Sequence, residues 1–185
     1  MPDFDRIYLT GFMGSGKSTV TPRLALCLAY THVDLDEEVT SWLGMSVSGI
    51  FAVLGEHRFR KAEQEILRKH SQRSRIVVSL GGGTIMQEGN LEYCQSQGVI
   101  VYLRATPEFL AKRLSRSRQP RPLLFDEQES MLQGEALLAR VRSLLSERKD
   151  IYEKAHLVVD IDGKEPSTVA SDIQKGLGAM GMVIS

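Results

Sequence analysis

Only two cysteines occur in this 185-residue chain, Cys27 and Cys94, and their separation excludes a disulfide framework or a C-x-x-C metal or redox motif. They read as buried or idle thiols in a reducing compartment. The four histidines are equally scattered. No apolar run approaches membrane-spanning length, and Asp3, Asp5 and Arg6 interrupt the N-terminus where a signal peptide would need an apolar stretch. Net charge is also lacking: 23 basic residues balance 23 acidic ones. No overall field therefore favours nucleic acid or an anionic membrane, and an anionic ligand must be held by local charge. Internal repeats and low-complexity tracts are absent too. These absences, with 42% hydrophobic residues, leave a cytoplasmic, water-soluble protein of one domain spanning 1–185.

What is present is local and ordered. Residues 11–18 read Gly-Phe-Met-Gly-Ser-Gly-Lys-Ser, a complete G-x-x-x-x-G-K-[ST] phosphate-binding loop. The pattern arises by accident in roughly one chain in a hundred of this length. Here it also lies between an apolar strand, Ile7-Tyr8-Leu9, and a helical pattern. In that setting the backbone of Gly14, Ser15, Gly16, Lys17, Ser18 and Thr19 can converge on phosphate oxygens at a helix N-terminus, as ATP binding requires. Lys17 reaches the terminal phosphates and the Ser18 hydroxyl serves Mg²⁺.

Short β-branched runs alternate with helical stretches along the rest of the chain. Strands are expected at 7–10, 31–33, 76–80, 99–103 and 157–159, with helices at 19–29, 37–43, 91–97 and 166–177 and one after Thr106, which can N-cap it ahead of Pro107 and Glu108. Strand alternating with helix predicts an α/β fold with helices on both faces of a parallel sheet and ligands beyond the carboxyl ends of its strands. The phosphate loop, Asp34 with Asp36, and Gly81-Gly82-Gly83 each follow a strand, so all three are expected to face one crevice. Two insertions break the rhythm. Residues of about 37–70, with Ser46 able to cap Val47–Val53, suit a substrate-binding subdomain, and the arginine- and proline-rich stretch of about 114–127 suits a lid.

Asp34 and Asp36 lie two apart on a segment expected to be extended, so both carboxylates point to one side, one serving metal and the other substrate. Asp36 could equally cap the helix that begins at Glu37. Strand three ends Val77-Val78-Ser79-Leu80 without the metal-organising acid found there in many phosphate-loop proteins, which leaves Asp34 as the best-placed charge near Mg²⁺. Three consecutive glycines imply a close approach to the backbone, or a sharp turn. Arg60 and Arg148 are candidates for anion binding or for solvated helix faces, with Glu63 three residues beyond Arg60 and able to orient it. In the lid stand Arg113, Arg116, Arg118 and Arg121, and Pro120 and Pro122 restrict the backbone around Arg121. Pro22 predicts a local distortion of the first helix.

Taken together, these segments resemble the shikimate kinase family. The resemblance rests on 11–19, Val-Asp-Leu-Asp at 33–36, Ile-Phe-Ala-Val-Leu-Gly-Glu at 50–56, Phe-Arg-x-x-Glu at 59–63, the glycine triplet at 81–83, Arg-Pro-Leu-Leu at 121–124, and Arg148 before Tyr152. It implies a three-layer α/β/α fold of nucleoside-monophosphate-kinase type with a five-stranded parallel sheet, and Mg²⁺-dependent phosphoryl transfer from ATP to shikimate by a monomer. By the same resemblance Arg60 and Arg148 clamp the substrate carboxylate. Asp36 and the backbone of Gly81, Gly82 and Gly83 meet its ring hydroxyls, Lys17, Asp36 and Arg121 carry catalysis, Lys164 lies near adenine, and Ser18 with Asp34 serves the metal. A kinase for another acid, such as gluconate, and a nucleotide-binding module without catalysis are the competing readings.

Overall fold

A computed structural model describes residues 5–117, 121–126, 128 and 130–182. Five strands, β1 (Arg6–Thr10), β2 (Thr31–Asp34), β3 (Ile76–Ser79), β4 (Val99–Arg104) and β5 (Leu157–Asp160), form a wholly parallel sheet in the order β2-β3-β1-β4-β5. Eight α-helices accompany them among the described residues: α1 (Lys17–Leu28), α2 (Leu35–Leu43), α3 (Val47–Val53), α4 (Gly55–His70), α5 (Asn90–Gln97), α6 (Pro107–Leu114), α7 (Gly134–Tyr152) and α8 (Pro166–Ala179).

The period of two along each strand divides the core. Ile7, Leu9, Val99, Val101 and Leu103 face one side with Val20, Leu24 and Leu28 of α1, Leu110 and Leu114 of α6, and Ile173 and Leu177 of α8. Tyr8, Val78, Ile100 and Tyr102 face the other, with Val39 of α2, Ile50 of α3 and Phe59, Ala62 and Leu67 of α4. Both faces are thus covered, which is why the strands read as near-continuous apolar runs. The crossover after β1 leads toward β2 and the one after β4 toward β5. The connections thus leave the adjacent strands β1 and β4 in opposite directions, and the phosphate loop emerges at that point.

Local sequence chemistry sets most boundaries. Thr106 caps α6 by accepting from the Phe109 N–H, with Pro107 in the first turn, and Ser46 caps α3 by accepting from Gly49 N–H. Pro22 departs from expectation: α1 runs through it as one helix and the phosphate loop is intact. Proline removes a single hydrogen bond there, to the Ser18 carbonyl, while Val20, Leu24, Ala25 and Leu28 bury the adjoining face and hold the helix. α8 runs to Ala179, and Met182 beyond it is buried. No helix among the described residues is long and apolar enough to cross a membrane.

Candidate active site

A cavity of about 610 Å³ opens at the carboxyl end of the sheet. The phosphate loop supplies Met13, Gly14, Gly16, Lys17, Ser18 and Thr19; β2 and α2 supply Asp34, Asp36 and Glu37; Ser79, Leu80 and Gly82 follow β3; and Arg113 and Arg121 come from the α6 end and the segment beyond it. The expectation of one crevice shared by the three loops is therefore met.

Gly14 and Gly16 carry φ values of 81° and 90°, a region that L side chains rarely adopt, and Gly16 caps α1. Ser15 is buried and its N–H donates to Phe12 O at 3.1 Å. The loop curls round the Lys17 ammonium, which donates to Gly11 O at 2.7 Å and Phe12 O at 3.2 Å. Desolvation pushes the Lys17 pKa down to about 8 against the opposing pull of Asp36 and Asp34.

Asp34 joins three elements. Its Oδ1 accepts from the Asp36 N–H at 3.0 Å, capping α2, while Oδ2 accepts from the Ser18 hydroxyl at 2.7 Å and the Ser79 hydroxyl at 2.8 Å. Ser79 lies directly opposite Asp34 in the β2–β3 register, in the position where an acid was sought and not found. The structure corrects the shared extended segment: Asp34 ends β2 and caps α2, whereas Asp36 already lies in the first helical turn. The two side chains share the cavity because the chain turns between them. Burial and the neighbouring Asp34 raise the Asp36 pKa, with Lys17, Arg60 and Arg121 opposing. Hydroxyl and carboxylate oxygens at Ser18 and Asp34 form a donor set suited to Mg²⁺, which takes one or two protein ligands and leaves the rest to water and phosphate. Among the described residues no group of three or more metal-ligating acids, histidines and cysteines competes with them.

The glycine triplet adjoins the cavity and gathers the other charged groups. A Cβ at Gly81 would lie 2.5 Å from Glu63 Oε1 and 2.6 Å from Asp36 Oδ1; one at Gly83 would lie 2.9 Å from Arg60 Nη2. Here the close approach inferred from sequence is made by the protein's own side chains. The Gly82 carbonyl accepts from Arg148 Nη1 at 3.2 Å and the Tyr152 hydroxyl at 2.9 Å. Arg60 donates to Glu63 Oε2 at 2.6 Å and through Nε and Nη2 to Glu56 Oε1 at 3.1 and 3.0 Å. Glu63 is 1% exposed and its other oxygen accepts from the Thr84 hydroxyl at 2.5 Å. Burial raises its pKa, with Arg60 the chief opposing influence.

Sequence reasoning gave no role to Ser79, Thr84 or Glu56, although Ser79 and Glu56 lie within quoted segments and Thr84 directly follows the glycine triplet. Lys164 does not line the cavity and instead donates to Asp172 at 2.8 Å. Arg113 does line it, with its guanidinium 3.4 Å from where a Gly16 Cβ would be. Arg118 and Pro120 lie outside the described residues.

The shikimate kinase family model matches residues 13–177, which contain every charged group of this site. The chain belongs to the shikimate kinase family. The shikimate kinase of Chlorobaculum tepidum is 42% identical over 159 residues, 86% of this chain and 83% of that protein, and that of Salinibacter ruber is 39% identical over 157 residues, 85% and 77%. Among solved structures, shikimate kinase from Acinetobacter baumannii in complex with shikimate is 31% identical with a TM-score of 0.86, covering 98% of this chain and 97% of that one. Family membership agrees with the five-stranded parallel sheet and with a cavity built on the phosphate loop.

Proposed function

We propose that the protein transfers the γ-phosphoryl group of ATP, with Mg²⁺, to the 3-hydroxyl of shikimate, giving ADP and shikimate 3-phosphate for aromatic amino-acid biosynthesis. The observation that carries this reading is the convergence of a phosphate loop, an acid with a raised pKa and two arginines around a single cavity and its adjoining glycine loop. The same reading takes 1–185 as one kinase domain acting as a cytoplasmic monomer.

The phosphate chain rests on the backbone of 14–19, with Lys17 and Arg121 offsetting charge on the transferring group. Ser18 and Asp34 would hold Mg²⁺, which would offset part of the phosphate charge during transfer. Arg60 and Arg148 fix the substrate carboxylate at Gly82 and Gly83, since planar guanidinium forks bind a carboxylate bidentately. That anchoring presents the ring hydroxyls to Asp36 and to the backbone of Gly81 and Gly82. As the hydroxyl oxygen bonds to the γ-phosphorus and the bond to the β–γ bridging oxygen breaks, the hydroxyl proton passes to Asp36, whose raised pKa favours accepting it. By the same reading the lid expected at about 114–127, of which 118–120 and 127 lie outside the described residues, would exclude water from the nucleotide and so suppress ATP hydrolysis.

The test is Mg²⁺-dependent ADP release from ATP with shikimate, quinate or gluconate. Strong stimulation by shikimate alone is expected; stimulation by gluconate instead would remove the carboxylate-clamp and hydroxyl assignments and leave the nucleotide half.

A further inference from the structure

Arg60, assigned above to the substrate carboxylate, is already paired with two acids. Glu63 takes Nη1 and Glu56 takes both Nε and Nη2 through one oxygen, so three of the five N–H groups are spent and the positive charge faces two negative ones. A substrate carboxylate would be the third acid on one guanidinium. Arg148 supplies a further positive charge, but its Nη1 is committed to the Gly82 carbonyl.

The two resident acids differ in freedom. Glu63 is 1% exposed, tied through both oxygens to Thr84 and Arg60, and wedged against the position of a Gly81 Cβ. It cannot leave without opening the core beneath the triplet. Glu56 has a side chain 61% exposed, bonds only Arg60 among the described residues, and stands in the first turn of α4 immediately after Gly55. Gly55 has φ of 79° and open space around its Cβ position, so the joint before Glu56 is unencumbered.

We infer that Glu56 is a displaceable stand-in for the substrate carboxylate: it holds the side fork of Arg60 and swings to solvent when the substrate acid arrives. The inference rests on the proposed role of Arg60 and adds a competing group that sets substrate affinity. Glu56 thus acts through Arg60, lowering affinity for carboxylate-bearing substrates.

Calorimetric binding of shikimate and of its uncharged methyl ester to the wild type, Glu56→Gln and Glu56→Ala tests this without turnover. Removing one like charge near the incoming acid should tighten shikimate binding about three- to tenfold in Glu56→Gln, the scale of a single partly screened charge contact. The methyl ester should gain nothing. Glu56→Ala should follow Glu56→Gln. Weaker shikimate binding in both variants would make Glu56 a positioning residue that Arg60 needs, and equal tightening of acid and ester would mean a general loosening of the site; either overturns the inference, as does no change. Failure of the wild type to bind shikimate at all would instead remove the proposed function on which the inference stands, an outcome distinct from any shift between variants.

Discussion

A single methyl group placed along the glycine triplet should separate the load each position carries. At Gly81 the new Cβ would lie 2.5 Å from Glu63 Oε1, 2.6 Å from Asp36 Oδ1 and 2.9 Å from Thr84 Oγ1, all inside the 3.0 Å that real Cβ atoms respect. Two of these neighbours are buried and bonded to each other, so relief requires moving Glu63 off Thr84 or Arg60. Overpacking a tight site costs about 1–3 kcal/mol, and a weakened charged hydrogen bond adds about 1–2 kcal/mol, giving roughly 2–5 kcal/mol for Gly81→Ala. For a domain of this size that is about 5–12 °C in Tm. Gly82→Ala is the internal control. Its Cβ would meet Met13 N at 3.7 Å and Arg148 Nη1 at 4.0 Å, ordinary contacts that predict a change within about 0.5 kcal/mol. At Gly83 the obstructing atoms are the end of the Arg60 side chain, which can retreat, so Gly83→Ala should cost little stability and impair shikimate binding instead. Urea titrations followed by circular dichroism, paired with shikimate calorimetry, read all three. A Gly81→Ala protein as stable as Gly82→Ala would refute the claim that the triplet is shaped by the Glu63 and Asp36 carboxylates.

Asp36→Asn should leave ATP affinity nearly unchanged and lower kcat at least about a hundredfold, the scale of a lost general base; near-normal turnover in a coupled assay would remove Asp36 from proton transfer. Arg60→Leu should weaken shikimate binding by about 1.5–3 kcal/mol, as expected for a charged hydrogen bond, and an unchanged Kd would return Arg60 to a structural role with Glu63. The lowered Lys17 pKa has a defined sign. Burial of its charge opposes folding at pH below about 8, and that cost is relieved as pH rises from about 8 toward the ordinary value of 10.5. Phosphate oxygens stabilise the protonated form, so ATP binding at pH 8 should take up protons, seen as a calorimetric enthalpy that varies with the ionisation heat of the buffer. Identical enthalpies in two buffers would count against it.

The sheet and most helix boundaries were legible because their signals are local: β-branched runs, Thr106 and Ser46 as caps, and the loop of 11–18. The site was legible as a set of residues and less so as geometry. Asp34 and Asp36 were rightly paired but for the wrong reason, since a strand that turns at once into a helix leaves no periodic trace of the turn. The triplet signalled close approach without saying by what; the answer depends on Glu63 and Arg60, which α4 delivers from some twenty residues away. Pro22 shows the limit of propensity, because the apolar face around it outweighs one missing hydrogen bond.

A chain with no net charge must assemble the field for anionic ligands locally, and the site shows how. Lys17, Arg60 and Arg121 stand against Asp34, Asp36, Glu56 and Glu63, so each of these three cations has an acid beside it. That pairing limits what their burial costs, because an unpaired buried charge would be far costlier than a paired one. An acid arriving at Arg60 would join two resident acids, and the carboxylate of Glu56 is the one open to solvent. The different exposure of Glu56 and Glu63 suits that exchange: one acid is buried to hold the triplet, and the other is left in solvent reach so that the guanidinium can change partners.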